Sequence, residues 1–122
     1  MKRLLIVDDK EHLLLLYKIE FEAEGYHVDT ARNEQEALGM FEKNHYNLAI
    51  LEIYLPGEDG IELLGKLRAR DNKLPVIINS ASARANDFFV SWAADSFVLK
   101  SSDLTELKQK VKESLDERMY VL

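Results

Sequence analysis

Polar residues that can do chemistry stand at the ends of apolar runs in this chain. Asp8 and Asp9 follow Arg3–Val7. Glu52 lies inside the apolar run 47–53, just before a turn signal at Pro56-Gly57 and the pair Asp59-Gly60. Ser80 closes a run that begins at Pro75, and Lys100 closes one that begins at Ser96. A buried strand that ends on a carboxylate and breaks into a glycine-bearing loop is an active-site layout in open α/β sheets, where ligands bind just outside the carboxyl ends of the strands. Taken singly, each residue has a plainer reading. Asp8-Asp9 suit the dipole of a following helix, Lys100 suits a solvated surface, and Ser80 suits a turn. Gathered at strand ends, they point to one site. His12, His27 and His45 show no metal-ligand spacing and read as surface residues.

The elements that must carry these residues follow from periodicity. Arg3–Val7 reads as a central strand buried on both faces. Residues 11–24 form a helix ended by Gly25, a position where a left-handed conformation is cheap. Tyr26–Ala31 alternates as an outer strand does. Asn33 with Glu36 three residues on is a capping-box pattern, opening a helix that buries Ala37, Met40 and Phe41. Strands over 48–53, 75–78 and 96–99 follow. Helices follow over 61–70, from Asn86 or Asp87 through Trp92, and after Asp103 with Leu104, Leu107, Val111 and Leu115 inward. Five βα repeats imply a parallel sheet with helices on both faces and right-handed crossovers. The fourth helix carries Phe88, Phe89 and Trp92, chiefly as core.

Composition narrows the function. One domain, 1–122, is long enough to bury its own core. No cysteine is present, which excludes a disulfide framework and thiolate metal sites. The basic–apolar start is cut by Asp8-Asp9 before it makes a signal-peptide core, and no run reaches membrane-spanning length. A cytoplasmic, soluble chain is expected. The net charge of −6 without a basic run argues against direct nucleic-acid binding. No G-x-G-x-x-G, phosphate-binding glycine loop or Ser/Cys–His arrangement is present, which weakens the reading as an unrelated α/β enzyme.

These residues, in this order, resemble the receiver domain of two-component response regulators over essentially the whole chain. The matching features are Asp8-Asp9 after strand one and the acid at 52 followed by Pro56, Gly57, Asp59 and Gly60. Ser80-Ala81 after strand four, Phe97, and Lys100 after strand five complete the set. The resemblance implies a flavodoxin-like (βα)5 fold, strand order 2-1-3-4-5. It implies phosphoryl transfer from a sensor histidine kinase or phosphotransfer protein to residue 52, with catalysis by positioning and charge neutralisation. It further implies Mg²⁺ held by Asp9 directly, by Asp8 through water, and by Glu52 and the backbone carbonyl of Tyr54. Lys100 and the Ser80 hydroxyl would meet the phosphoryl group, and Phe97 would rotate inward behind Ser80 to switch partner binding. The chain would act as a phospho-acceptor, not as a turnover enzyme.

Three positions depart from the family pattern. The acceptor there is an aspartate. Glu52 is longer by one C–C bond, roughly 1.5 Å, and in-line transfer tolerates little misplacement. Three readings of Glu52 stay open: a deliberate Asp→Glu change that mimics phosphorylation, a natural receiver that acts as a phosphate-independent interaction module, and a slow acceptor. Lys100-Ser101 replaces the family's Lys-Pro and its cis bond, leaving either a trans, rearranged loop or a strained one. Trp92-Ala93-Ala94 stands where a glycine is common, so the fourth helix is expected to end differently.

In the first helix, Leu13, Leu16, Tyr17 and Phe21 fit a sheet-facing stripe. Leu14, Leu15 and Ile19 fall outside it and read as a docking surface for the kinase's helical bundle. Dimerisation through the fourth and fifth helices is compatible with the family. The sequence fits both a stand-alone regulator and a receiver cut from a longer protein, and residues 119–122 read as frayed.

Overall fold

The computed structural model describes residues 1–82 and 94–116. Five parallel strands form one sheet: β1 (Arg3–Val7), β2 (His27–Ala31), β3 (Leu48–Leu51), β4 (Val76–Ser80) and β5 (Ser96–Leu99), in the order β2-β1-β3-β4-β5. This is the expected doubly wound, flavodoxin-like arrangement. Successive side chains alternate across a strand, so β1 feeds two cores. Leu4 and Ile6 join Leu14, Tyr17 and Phe21 of α1 (Glu11–Ala23) and Leu107 and Val111 of α4 (Thr105–Leu115) on one face. Leu5 and Val7 join Ala37 of α2 (Glu34–Lys43) and Leu63, Leu64 and Leu67 of α3 (Gly60–Arg70) on the other. Burial on both faces explains why β1 and β3 read as unbroken apolar runs.

Local signals act largely where expected. Asn33 Oδ1 accepts the Glu36 N–H at 2.8 Å, and Glu36 Oε1 reaches back to the Arg32 N–H at 2.9 Å. Asp103, expected as the cap of the last helix, stands one residue before the Leu104 N-cap and accepts the N–H and hydroxyl of Thr105 at 2.9 and 2.6 Å. Gly25 has a φ of +97° after α1.

Two expectations change and one open alternative closes. Leu14, taken as part of a docking surface, is only 5% exposed and packs into the core, whereas Leu16, taken as sheet-facing, is 38% exposed. The buried stripe of α1 is therefore Leu14, Tyr17 and Phe21, with Leu13 partly buried beside it. Four consecutive leucines, 13–16, leave the helical phase undetermined, and the aromatic pair Tyr17 and Phe21 selects Leu14, three residues before Tyr17. The third strand stops at Leu51 instead of Ile53. Finally, no peptide bond among the described residues is cis, so the Lys100–Ser101 loop takes the trans form. The predicted fourth helix, with Phe88, Phe89 and Trp92, lies outside the described residues, as do the dimer surface it would supply and the predicted frayed end.

Between β3 and α3 the chain makes a small antiparallel hairpin that the sequence reading took only as a turn. Tyr54 pairs with Asp59 and Leu55 with Glu58. Pro56 and Gly57 are left as its two central residues, and Gly57 has a φ of +70°, the positive value that the second central residue of a type II turn requires. The hairpin delivers Gly60 hard against Ile53: a Cβ at 60 would sit 2.3 Å from the Ile53 Cα. Only glycine lets α3 begin there, and this fixes the loop that follows Glu52.

Candidate functional site

The carboxyl ends of β1, β3 and β5 bring Asp8, Glu52 and Lys100 together. Asp8 is held by its own N–H, which donates to Ala31 O at 3.1 Å. Its Oδ1 accepts the Lys10 N–H at 3.0 Å, so the cap-like role and the site role coexist in one side chain. The Glu52 N–H donates to Val7 O at 2.9 Å, one step past the last rung of β3. Lys100 Nζ lies 2.6 Å from Asp8 Oδ2 and 2.9 Å from Glu52 Oε1. The second Glu52 oxygen accepts the Tyr54 N–H at 3.1 Å. Both Glu52 oxygens are thus engaged.

All three groups are withdrawn from water: the Asp8, Glu52 and Lys100 side chains are 2%, 6% and 11% exposed. Burial works against the Lys100 ammonium. The carboxylates of Asp8 and Glu52 outweigh it and hold the lysine above its ordinary value. Low dielectric strengthens such a triad and makes removal of one member costly.

The remaining predicted residues differ in burial and place. Ser80 is buried, and its hydroxyl accepts the Ser82 N–H at 3.3 Å. Its carbonyl accepts the Lys100 N–H at 2.7 Å, tying the two strand ends. Phe97 is partly buried against the α2/α3 core. Tyr54 is 53% exposed beside the pocket. Leu15 and Ile19 are exposed at 60% and 56% on α1, so two of the three predicted docking residues face solvent. Sequence reading missed one buried pair: Asn79 Nδ2 donates to the Tyr17 hydroxyl at 3.1 Å. Burial pushes the Tyr17 phenol up, with the Asn79 hydrogen bond and Lys100 opposing. An asparagine in a run of isoleucines at 77–79 was the available signal.

The donor set suits a hard cation. Asp9 Oδ1 is buried without a partner, while its Oδ2 lies 3.5 Å from Lys10 Nζ. An orphaned buried carboxylate oxygen at the strand end that also carries Asp8 fits a divalent ion that favours oxygen ligands. Among the described residues no three acidic or histidine groups already converge on one point. Lys100 draws Asp8 and Glu52 to itself and leaves Asp9 apart.

The model of the response regulator receiver domain matches residues 4–112. This chain belongs to the response-regulator receiver family. Among solved structures, the receiver is similar to the response regulator TrrA from Thermotoga maritima in complex with Mg²⁺-BeF: 43% identity, 94% of this chain and 100% of that chain covered, TM-score 0.88. A structure of histidine kinase ThkA in complex with TrrA matches at 42% identity, covering 95% and 100%, TM-score 0.87. A curated relative, the uncharacterized transcriptional regulatory protein YkoG of Bacillus subtilis, is 32% identical over 92% of this chain and 50% of its own length. The chain spans about half the length of the curated relatives it matches. Among the described residues, no helix is long and apolar enough to cross a membrane.

Proposed function

We propose that this receiver works in a two-component phosphorelay, with a sensor histidine kinase as partner and residue 52 at the acceptor position. Its carboxylate accepts or stands in for the phosphoryl group and switches partner binding. The observation that carries this reading is the Lys100 bridge, 2.6 Å to Asp8 and 2.9 Å to Glu52, in a pocket closed to bulk water. An ammonium already within ion-pair distance of residue 52 is positioned to neutralise charge that appears there. The complex of TrrA with its kinase supports the choice of partner, and the Mg²⁺-BeF complex of TrrA supports the choice of metal. The phosphate-independent module finds no support in the relatives named above.

Asp8, Asp9, Glu52 and the Tyr54 carbonyl would hold Mg²⁺, which when bound neutralises charge on phosphoryl oxygens. A Glu52 oxygen would attack phosphorus as the bond to the kinase histidine nitrogen breaks, and Lys100 would take up the negative charge gained. Ser80 would turn its hydroxyl from Ser82 toward the new group, with Phe97 following. The chain is consumed as an acceptor in each cycle, not turned over as an enzyme. With both oxygens of Glu52 already held by Lys100 and the Tyr54 N–H, the standing-charge role is the better supported of the two.

Intact-mass measurement after treatment with acetyl phosphate and Mg²⁺, run beside Glu52→Asp, tests this. Labelling of the aspartate variant alone is the expected result, giving a competent pocket with a charge standing in it. Labelling of both makes Glu52 or a neighbouring residue a working acceptor, and fragmentation locates it. Labelling of neither overturns the phosphorelay reading. A second test concerns docking. Leu15→Asp is expected to change stability by less than about 0.5 kcal/mol, as exposed substitutions do, and to weaken kinase binding in calorimetry. Unchanged binding removes α1 as the docking face.

A further inference from the structure

Lys100 already holds two acids, and a divalent ion at Asp9 competes with it for them. Its Nζ spends two of an ammonium's three donors on Asp8 Oδ2 and Glu52 Oε1. The other Asp8 oxygen is taken by the Lys10 N–H. Asp8 is therefore free for a cation only when Lys100 lets go. The lysine side chain is 11% exposed, and an ammonium withdrawn from water must find other oxygens. What lies beside it on the same face of the sheet is thus part of the site.

Strand register places that neighbour. Val7 pairs with Leu51 and Leu51 with Ile78, so the next residues, Asp8, Glu52 and Asn79, stand in one row across β1, β3 and β4. Two residues earlier the row is Ile6, Ile50 and Ile77, which pack in one cluster with Tyr17 of α1. Alternation points the polar row to that same side. Asn79 pairs with Val98, and Lys100 follows Val98 by two residues, so the lysine enters from the same face. Its N–H is fixed to Ser80 O at 2.7 Å, one residue past Asn79. Tyr17 faces this row from α1: Asn79 Nδ2 donates to its hydroxyl oxygen at 3.1 Å, and both residues are buried. Burial is the main push on the Tyr17 phenol, and the Asn79 bond opposes it. Lys100, Asp8 and Glu52 act next, so the hydroxyl lies in the field of the whole triad.

Packing does not ask for this pair. Val76, Ile77 and Ile78 fill the strand before it, and two apolar side chains of the same shape can serve a buried contact equally well. What the pair adds is neutral oxygen. The Tyr17 oxygen can accept beyond the one bond from Asn79, and the Asn79 carbonyl is a second acceptor. A further carboxylate there would hold Lys100 as tightly as Asp8 does, and an apolar wall would offer it nothing. We propose that Tyr17 and Asn79 are positioning residues for Lys100. Their oxygens receive the ammonium when a divalent ion takes Asp8, so that the lysine releases the acid without leaving the pocket, a role that rests on Mg²⁺ binding there.

The test follows the whole chain by NMR during a Mg²⁺ titration. Amide shifts of Asp8 and Asp9 give the dissociation constant. The carbon shift of Tyr17 Cζ reports hydrogen bonding at the hydroxyl, and the nitrogen shift of Lys100 Nζ reports the ammonium. One shared midpoint is expected for all of them. Tyr17→Phe with Asn79→Leu keeps the contact and removes the oxygens. This double variant is expected to unfold at an equal or higher urea concentration, yet to bind Mg²⁺ about tenfold more weakly, as loss of outer-shell partners does. A pair with a structural role alone would change the first and not the second. If the double variant does not fold, the Tyr17 and Lys100 signals of the parent decide alone. Equal Mg²⁺ affinity in parent and variant, or a Tyr17 Cζ signal unmoved at saturating Mg²⁺, overturns the proposal and leaves the metal site standing. No Mg²⁺ response at Asp8 and Asp9 in any chain overturns the metal reading itself, and the proposal with it.

Discussion

Two polar networks lie near opposite ends of the same sheet, and they are built to different rules. Near the N-terminal ends of β1 and β3, Asp29 accepts the Tyr46 hydroxyl at 2.6 Å and Arg3 at 3.2 Å, with His27 at 3.4 Å. Arg3 also reaches Asn44 at 3.2 Å, and its N–H donates to Asn47 at 2.8 Å. There one carboxylate is surrounded by donors. At the C-terminal ends, three acids, Asp8, Asp9 and Glu52, share Lys100 and the more distant Lys10, and one buried oxygen is left over. A satisfied network joins secondary-structure elements. An unsatisfied one is a demand for something from outside, and that difference, more than burial, separates a site from a staple.

The largest expected effect breaks the crowded end. Lys100→Met leaves Asp8 and Glu52 buried without their cation and should cost about 3–5 kcal/mol in urea unfolding. Millimolar Mg²⁺ should return part of that loss as a rise in melting temperature. Tyr46→Phe, at the other end, should cost about 1.5–3 kcal/mol, as loss of a bond to a charged group does, with no response to Mg²⁺. A Mg²⁺ response of equal size in both variants would erase the distinction.

The pH dependence sharpens it further, because the two ends fail in opposite directions. Burial pushes Asp29 up, but Tyr46, His27 and Arg3 together hold it below the ordinary carboxylate value of 3.8. Its contribution is present above 3.8 and is lost as pH falls through the lower folded value. Lys100 is held above 10.5, so its contribution is complete below 10.5 and is lost as pH rises through the folded value. Tyr46→Phe should flatten the acid limb of a stability–pH curve, and Lys100→Met the alkaline limb. Within these two networks the smallest expected effect is at Asp9→Asn, within about 1 kcal/mol of the parent because its one ion pair is loose and partly exposed. That substitution should nonetheless reduce the Mg²⁺ response.

The contrast also explains what the sequence could be made to say. The acids and the lysine were visible because each interrupts or ends an apolar run, and strand order turned sequence separation into adjacency. The Asp29–Tyr46 network was invisible because each member sits in an ordinary alternating or loop context. The phase of α1 was misread because four leucines in a row satisfy any phase, and only contact with β1 chooses among them. The hairpin after Glu52 was seen as a turn because two residues per strand are too few for alternation to register. That Asp9 keeps an oxygen unpaired is a matter of atoms, beyond the reach of residue patterns.

The Lys100 bridge has a consequence for the order in which the molecule is made. Asp8, Glu52 and Lys100 come from the first, middle and last strands. A chain emerging residue by residue carries its two buried acids long before their counter-ion arrives. Until β5 docks, Asp8 and Glu52 lack the cation that balances their burial. Completing the pocket and completing the fold are then a single event, so a ribosome-bound or truncated fragment lacking the last strand has neither a finished sheet nor a finished switch.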